Sequence, residues 1–259
     1  MSVFDQFRLT GRRALITGGS RGLGRAMAQA LAEAGADLVL IGRTTESLER
    51  AKAELETLSC HVEVVTADVS EPETASLVCS EVLKRGNIDI LINNVGGRRE
   101  DIPTAEMPLD AWRRYLDLNL TSAVACTTAV VGPMLERGWG RVVNIASIAG
   151  PLIAFKGIQG RHYETAKAAL AGYTRAAAAD WAARGVTVNA VCPGVFFTEA
   201  NRRWASERLG WREAVESNIP ARRMGEAAEI APLVLYLCSP ASAYMTGAML
   251  VIDGGYTLW

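Results

Sequence analysis

Tyr163 and Lys167 stand four residues apart in the stretch RHYETAKAAL, inside a run otherwise rich in alanine. Positions i and i+4 of a helix lie one above the other, so the phenol and the ammonium share a face. A free phenol, with a pKa near 10, holds its proton too tightly to act as a base at neutral pH. A cation about 4 Å away, at an effective dielectric near 20, interacts by roughly 4 kcal/mol and lowers that pKa by about 3 at most. Lys167 has the spacing to do this. The pair is therefore either an acid/base couple or a packed tyrosine beside a solvated lysine. Taken alone, the plainer description wins, and the surrounding sequence has to decide.

The elements that would position such a pair are legible in the pattern of apolar runs. RRALIT, DLVLIG, HVEVVT, IDILIN, GRVVNIA, VTVNAVCP and GAMLVIDGG are short and nearly continuous in Val, Ile and Leu. Amphipathic segments at 22–34, 45–58 and 71–85 and a long one from about Leu109 to Arg137 alternate with them. Strands of that kind separated by helices predict an α/β fold, a doubly wound parallel sheet of about seven strands covered on both faces. No low-complexity linker or internal repeat divides the 259 residues, so one domain is expected over 1–259. A long segment without strand pattern, Val195 to Gly225, follows a strand end and is rich in Arg and Trp. Ligands of open α/β sheets bind beyond the carboxyl ends of the strands, so this segment reads as a lid.

ALITGGSRGLGRAMAQAL carries the chain from the first strand into the first helix through Gly18, Gly22 and Gly24. Such a turn leaves the backbone N–H groups of the helix start free to hold a pyrophosphate. Glycines alone are a weak signal, but their place between a strand and a helix is the context that favours a nucleotide. With 27 Lys+Arg against 28 Asp+Glu the chain offers no electrostatic footprint for nucleic acid or an anionic membrane, which leaves a small molecule as partner. Five scattered cysteines, Cys60, Cys79, Cys126, Cys192 and Cys238, form no C-x-x-C pair and read as reduced core residues of a cytoplasmic protein. The N-terminal MSVFDQFRLTGRR lacks the apolar core of a signal peptide, and no uninterrupted apolar run approaches the roughly 18 residues of a membrane span. Only His61 and His162 are present, and no G-x-S-x-G elbow, so neither a metal centre nor a serine hydrolase is expected.

The glycine spacing is T-G-x-x-x-G-x-G, and here the chain resembles the short-chain dehydrogenase/reductase (SDR) family, its 3-oxoacyl-acyl-carrier-protein reductase and sugar dehydrogenase branch. NNVG at Asn93 to Gly96 is similar to the family's N-N-A-G, with Val in place of Ala. Asn119, Ser147, Tyr163 and Lys167 fall in the order of its catalytic tetrad, while PGVFFT and MTGAMLVIDGG resemble its nicotinamide-side motif and closing strand. The resemblance extends over almost the whole chain. It implies a Rossmann-type fold whose cofactor half covers roughly 1–150, with catalytic helix, substrate lid and closing strand in 151–259. It implies hydride transfer between a nicotinamide and a secondary alcohol or ketone, with Tyr163 as general acid/base and Ser147 on the substrate oxygen. Asn119 would hold a water that passes the proton from Lys167 toward solvent.

Cofactor contacts implied by the same resemblance are Gly18, Ser20, Arg21, Gly22, Leu23 and Gly24 in the turn, Asn94 and Gly96 after the fourth strand, and Pro193, Gly194, Val195 and Thr198 beside the lid, together with Tyr163 and Lys167. Asp68 and Val69 would meet the adenine, although Asp68 also suits a capping role before the next helix. Gly42 occupies the place of the acid that NAD-using members show, and Arg43 follows it. A guanidinium there binds a 2′-phosphate that a carboxylate would repel, so NADP(H) is favoured and NAD(H) remains possible. A homotetramer is implied as well, consistent with the apolar ending YTLW.

Substrate identity is open: a polar sugar or a hydroxy or keto acid, with a 3-oxoacyl thioester as the alternative, and a non-catalytic nucleotide-binding regulator as the reading from another class. Lys156, Arg161, Arg98, Arg99, Arg202 and Arg203 are the cations expected near the pocket mouth, with Trp204 and Trp211 closing over it. Sixteen positions separate Ser147 from Tyr163, three more than the family usually has, within PLIAFKGIQGRH.

Overall fold

Near-continuous runs of Val, Ile and Leu can be buried on both faces only if helices cover both sides of the sheet, and that is the arrangement found. The computed structural model describes residues 2–97, 100–155 and 161–258, apart from the side chains of residues 200 and 203–205. Strands β1 (Arg13–Thr17), β2 (Asp37–Gly42), β3 (Val62–Thr66), β4 (Ile90–Asn93), β5 (Gly140–Ile145), β6 (Val186–Pro193) and β7 (Met249–Ile252) form one sheet in the order 3-2-1-4-5-6-7. Every pairing is parallel. The order reverses between β1 and β4, and at such a switch point the strand ends splay to leave a crevice.

The period of two along each strand divides the core. Ala14 and Ile16 face the side covered by α1 (Gly22–Glu33), α2 (Thr45–Glu56) and α9 (Ala231–Cys238), where Met27, Leu31, Leu55 and Val234 are fully buried. Leu15 faces the other side, against Cys79 and Val82 of α3 (Pro72–Lys84) and Cys126, Val130 and Met134 of α5 (Ser122–Arg137). The stripe Met27, Ala28, Leu31, Ala32 on α1 is the i, i+1, i+4, i+5 spacing that a helix needs to lay one face on a sheet.

The long helical stretch expected from Leu109 to Arg137 is helical throughout but not uniform. Helix α4 (Leu109–Leu116) passes into a π turn at Asp117–Thr121, where the Ser122 N–H donates to the Asp117 carbonyl, and then into α5. By length and composition this 29-residue stretch is apolar enough to cross a membrane, but half of its most apolar window is buried. It packs on α3 and on α6 (His162–Trp181) and so belongs to the core.

Polar side chains lace the sheet beneath its carboxyl end. Asn93 on β4 donates to Thr127 of α5 at 2.9 Å and to Asn144 of β5 at 2.8 Å, and Asn144 donates to Thr174 of α6 at 2.9 Å. All four are buried. Hydrogen bonds in a low dielectric are rigid, because each broken bond strands a buried group, although Oδ1 of Asn93 has no hydrogen-bond partner among the described residues. The last pieces are in the segment after β6. It contains α7 (Glu199–Glu207) and α8 (Trp211–Ser217), and its base is closed by a bridge between Phe196 and Gly225, with the Phe197 N–H donating to the Gly225 carbonyl at 2.7 Å. The excursion is therefore tied together where it leaves β6 and where it ends at Gly225.

Candidate active site

The glycine turn closes around a single contact. A Cβ on Gly24 would stand 2.1 Å from the Gly18 carbonyl oxygen and 2.7 Å from Nδ2 of Asn94, so only glycine lets the helix start so close to the strand end. Gly18 at φ 68° takes the left-handed conformation that other residues avoid. Asn94 donates from Nδ2 to the carbonyls of Thr17 and Gly18 at 3.0 and 3.2 Å. Thr17 answers through Oγ1, which accepts from the N–H groups of Asn94 and Val95 at 2.9 and 3.1 Å. Turn and β4 end are thereby fixed to each other. Arg21, preceding α1, makes no side-chain cap. A helix start beside a glycine turn suits a pyrophosphate.

Around the turn, Ser20 accepts from the Ser47 hydroxyl at 3.2 Å, and Arg21 pairs with Glu199 at 3.3 Å. Leu23 packs against the core on the α1 side. Arg43, after β2, lies 3.8 Å from Asp68 with both side chains about half exposed (54% and 43%). Asp68 also accepts from the Ser70 N–H and hydroxyl at 3.0 and 2.7 Å, a turn ahead of α3, while the neighbouring Val69 is buried. Asp68 thus closes the turn before α3 and faces Arg43, while the helix itself is preceded by Glu71 without a side-chain cap.

Lys167 is 3% exposed, and its Nζ donates to the Ile145 carbonyl at 2.7 Å, tying α6 to β5 two residues before Ser147. Its ammonium lies 5.9 Å from the centre of the Tyr163 ring. Asn119, in the π turn, donates to the Gly97 carbonyl at 3.2 Å and the Tyr115 carbonyl at 3.0 Å, and accepts from the Gly97 N–H at 2.8 Å. The two side chains meet at Gly96, where a Cβ would be 2.9 Å from Oδ1 of Asn119 and 2.9 Å from Nζ of Lys167. Ser147 is buried, and its Oγ accepts from the Ala149 N–H at 3.0 Å. The Ile148 N–H donates to the Pro193 carbonyl at 3.1 Å, so the serine segment is fastened to the end of β6. Gly194 has no room for a side chain, since a Cβ would meet Asp253 at 2.7 Å. The Val195 carbonyl accepts from the Gly225 N–H, and the Thr198 carbonyl from the Arg202 N–H as α7 begins.

Burial lowers the pKa of Lys167 to about 8, an effect that the nearby Cys192 thiol partly opposes. Burial also pushes the Cys192 thiol up, against the Ser147 backbone N–H and the Lys167 charge, both of which favour the thiolate. Cys192, near the end of β6, therefore lies close enough to Lys167 and Ser147 for each to affect its ionisation. Sequence reading missed that neighbourhood, and it missed Thr17, although the T of the T-G start of the turn was the available signal.

Two of the cations expected at the pocket mouth have partners within the chain. Arg161 donates to both carboxylate oxygens of Glu164, at 2.9 and 2.7 Å, and Glu164 accepts from the Phe155 N–H at 3.1 Å. This pair closes the base of the extended loop and fixes the start of α6. Arg202 lies 5.0 Å from the centre of the Phe197 ring, with Arg212 5.1 Å from the same ring. Trp211 is half-buried at the start of α8. Lys156, Arg98, Arg99 and the side chains of Arg203 and Trp204 lie outside the described residues.

Residues 18–257 match the family model described as enoyl-(acyl carrier protein) reductase, and the chain belongs to the short-chain dehydrogenase/reductase family. It is 41% identical over 258 residues to an uncharacterized oxidoreductase of Mycobacterium tuberculosis, covering 98% of this chain and 95% of that one. It is 37% identical over 267 residues to the galactitol 2-dehydrogenase of Rhizobium johnstonii, with 100% of each covered. Among solved structures it resembles a gluconate 5-dehydrogenase from Burkholderia cenocepacia in complex with NADP and tartrate, with a TM-score of 0.90, 33% identity and 100% of each chain covered.

The buried lysine makes stability depend on pH. Its proton is held up to pH 10.5 when the chain is unfolded but only to about 8 when folded, so between these values the unfolded chain binds more protons and rising pH favours the fold. Going from about pH 7.5 to about pH 10, urea unfolding of wild type should gain up to about 3 kcal/mol relative to Lys167→Met. A difference between the two proteins that stays flat or falls with pH would show that the ammonium is not desolvated in the fold.

Proposed function

We propose that the chain is an NADP(H)-dependent oxidoreductase acting on a secondary alcohol or ketone. The observation that carries this reading is the meeting of Asn119 Oδ1 and Lys167 Nζ at Gly96, with Lys167 fastened to the strand that leads into Ser147. NADP(H), when bound, supplies or accepts the hydride. Tyr163 exchanges its phenol proton with the substrate oxygen, and the Ser147 hydroxyl donates to the same oxygen as charge develops there. Lys167 favours the phenolate by its charge and contacts the ribose hydroxyls. Asn119 holds Gly97 and orders the water through which the proton leaves. Gly18, Ser20, Gly22, Leu23 and Gly24 hold the pyrophosphate side, Arg21 and Arg43 the 2′-phosphate, Asp68 and Val69 the adenine, and Asn94, Gly96, Pro193, Gly194, Val195 and Thr198 the nicotinamide half.

A polar polyol or hydroxy acid is the substrate class we favour. The relatives named for galactitol and gluconate, and the tartrate held by one of them beside NADP, support it. The family model's acyl-carrier description keeps a 3-oxoacyl thioester as the second reading. We read the chain as one domain and as a cytoplasmic homotetramer. The outer faces of α5 and α6 support that assembly, since Gly132 and Gly172 are exposed with open space around them. Light scattering should give four times the 27.8 kDa chain, and a monomer mass would remove the tetramer.

Assaying nicotinamide absorbance with galactitol, gluconate and a 3-oxoacyl thioester tests the activity itself. Tyr163→Phe should cut turnover of whichever substrate is used by at least about 100-fold while leaving NADPH affinity nearly unchanged, because only the proton carrier is removed. Near wild-type turnover in that variant would take Tyr163 out of its role.

A further inference from the structure

One ion pair joins the glycine turn to the lid. Arg21 precedes α1 in extended backbone, and its guanidinium lies 3.3 Å from the carboxylate of Glu199, the first residue of α7. Both side chains are largely exposed, 67% and 71%, and such pairs contribute little to stability. Its position is what gives it a consequence. Arg21 and Glu199 border a cavity of about 190 Å³ between the turn and α2, walled also by Ser20, Ser47 and Arg50. The segment's first residues lie near the turn, since a Cβ added on Gly22 would come within 3.9 Å of the Thr198 side chain.

Each cation near this cavity already holds a carboxylate. Arg43 faces Asp68 at 3.8 Å, Arg50 holds Glu46 at 3.0 Å, and Arg21 holds Glu199. Glu46 and Arg50 are four residues apart on α2, and Asp68 lies in the turn after β3 facing Arg43 after β2. Glu199 reaches in from the lid, 178 positions along the chain from Arg21. A phosphate ester with about two negative charges and three acceptor oxygens binds a guanidinium more strongly than an exposed carboxylate does. Once Arg21 turns to it, Glu199 is left without its cation and beside a like charge.

We propose that Glu199 is a specificity-determining residue whose carboxylate competes with the cofactor's 2′-phosphate for Arg21. Binding of NADP(H), and not of NAD(H), then releases the first turn of α7 from the glycine turn. The inference rests on reading Arg21 as a 2′-phosphate ligand. It explains why a lid helix begins with an acid directly beside a phosphate subsite: the acid sets how much of the phosphate's binding is spent on freeing the lid. NAD(H), lacking the phosphate, leaves the clasp closed.

The test is fluorescence titration of the full chain with NADPH and with NADH, in wild type and in Glu199→Gln, at low ionic strength, together with hydrogen exchange of the α7 amides. The variant should bind NADPH about threefold tighter and NADH unchanged. In wild type, α7 should exchange faster with the oxidised phosphate-bearing cofactor than with its unphosphorylated counterpart, a difference absent from the variant. Equal changes for both cofactors, or no change for either, would overturn the competition. Wild type that binds NADPH no tighter than NADH, alongside a selective gain in the variant, would refute the NADP(H) preference but uphold the competition. The reverse pattern, a strong wild-type preference for NADPH that Glu199→Gln leaves untouched, would keep the preference and remove Glu199.

Discussion

The hydrogen bond from the Lys167 ammonium to the Ile145 carbonyl, 2.7 Å long and almost closed to solvent, is the interaction on which the rest of the site depends. A lysine gives up strong hydration to lie there, which is why its pKa falls to about 8. In return α6 is fastened to the strand that leads into Ser147. The alanines of α6 make the approach possible, since Ala166, Ala171, Ala177 and Ala178 are buried with little side-chain volume. Gly96 is a consequence of the same constraint: any side chain there would collide with the ammonium or with Asn119.

Asn119 adds the second constraint. An ordinary helical turn spaces side chains 100° apart, and the i→i+5 bond at Asp117 interrupts that rhythm where Asn119 must turn toward the β4 end. Its amide then clamps Gly97 from both sides, donor and acceptor, so the loop after β4 cannot move without breaking two hydrogen bonds. Beneath it, Asn93, Thr127, Asn144 and Thr174 carry the load through the sheet to α5 and α6. The proposed catalytic side chains therefore sit on a polar platform, while the segment beyond β6 is tied at its base by the Phe197–Gly225 hydrogen bond and reaches the glycine turn through Arg21.

Much of this was legible before any coordinates. The seven strands are short apolar runs with period two or none, and the helices carry the 3.6 period, so the alternation survives in a single sequence. The glycine turn and the Tyr163–Lys167 spacing are local, and local geometry is what residue spacing encodes. The π turn is different, because one extra residue in a helical turn leaves the apolar pattern nearly intact. Between β6 and Gly225, α7 and α8 carry polar, Arg-rich sequence whose apolar residues are too few to announce a helix. Arg161 looked like a substrate cation, although Glu164, three positions on and on the same helical face, was a visible partner. Arg21 and Glu199 could not have been paired from sequence alone, since only the fold brings the glycine turn and the lid together.

A buried ammonium at Lys167 that sets the acidity of the Tyr163 phenol must leave its mark on the pH dependence of kcat. With an active substrate, the oxidation rate of wild type should rise and level off at a lower pH than the residual rate of Lys167→Met, whose profile is displaced to higher pH because the phenolate has lost its cation. Coincident profiles for the two proteins would contradict the account and leave Lys167 as a structural strut between α6 and β5.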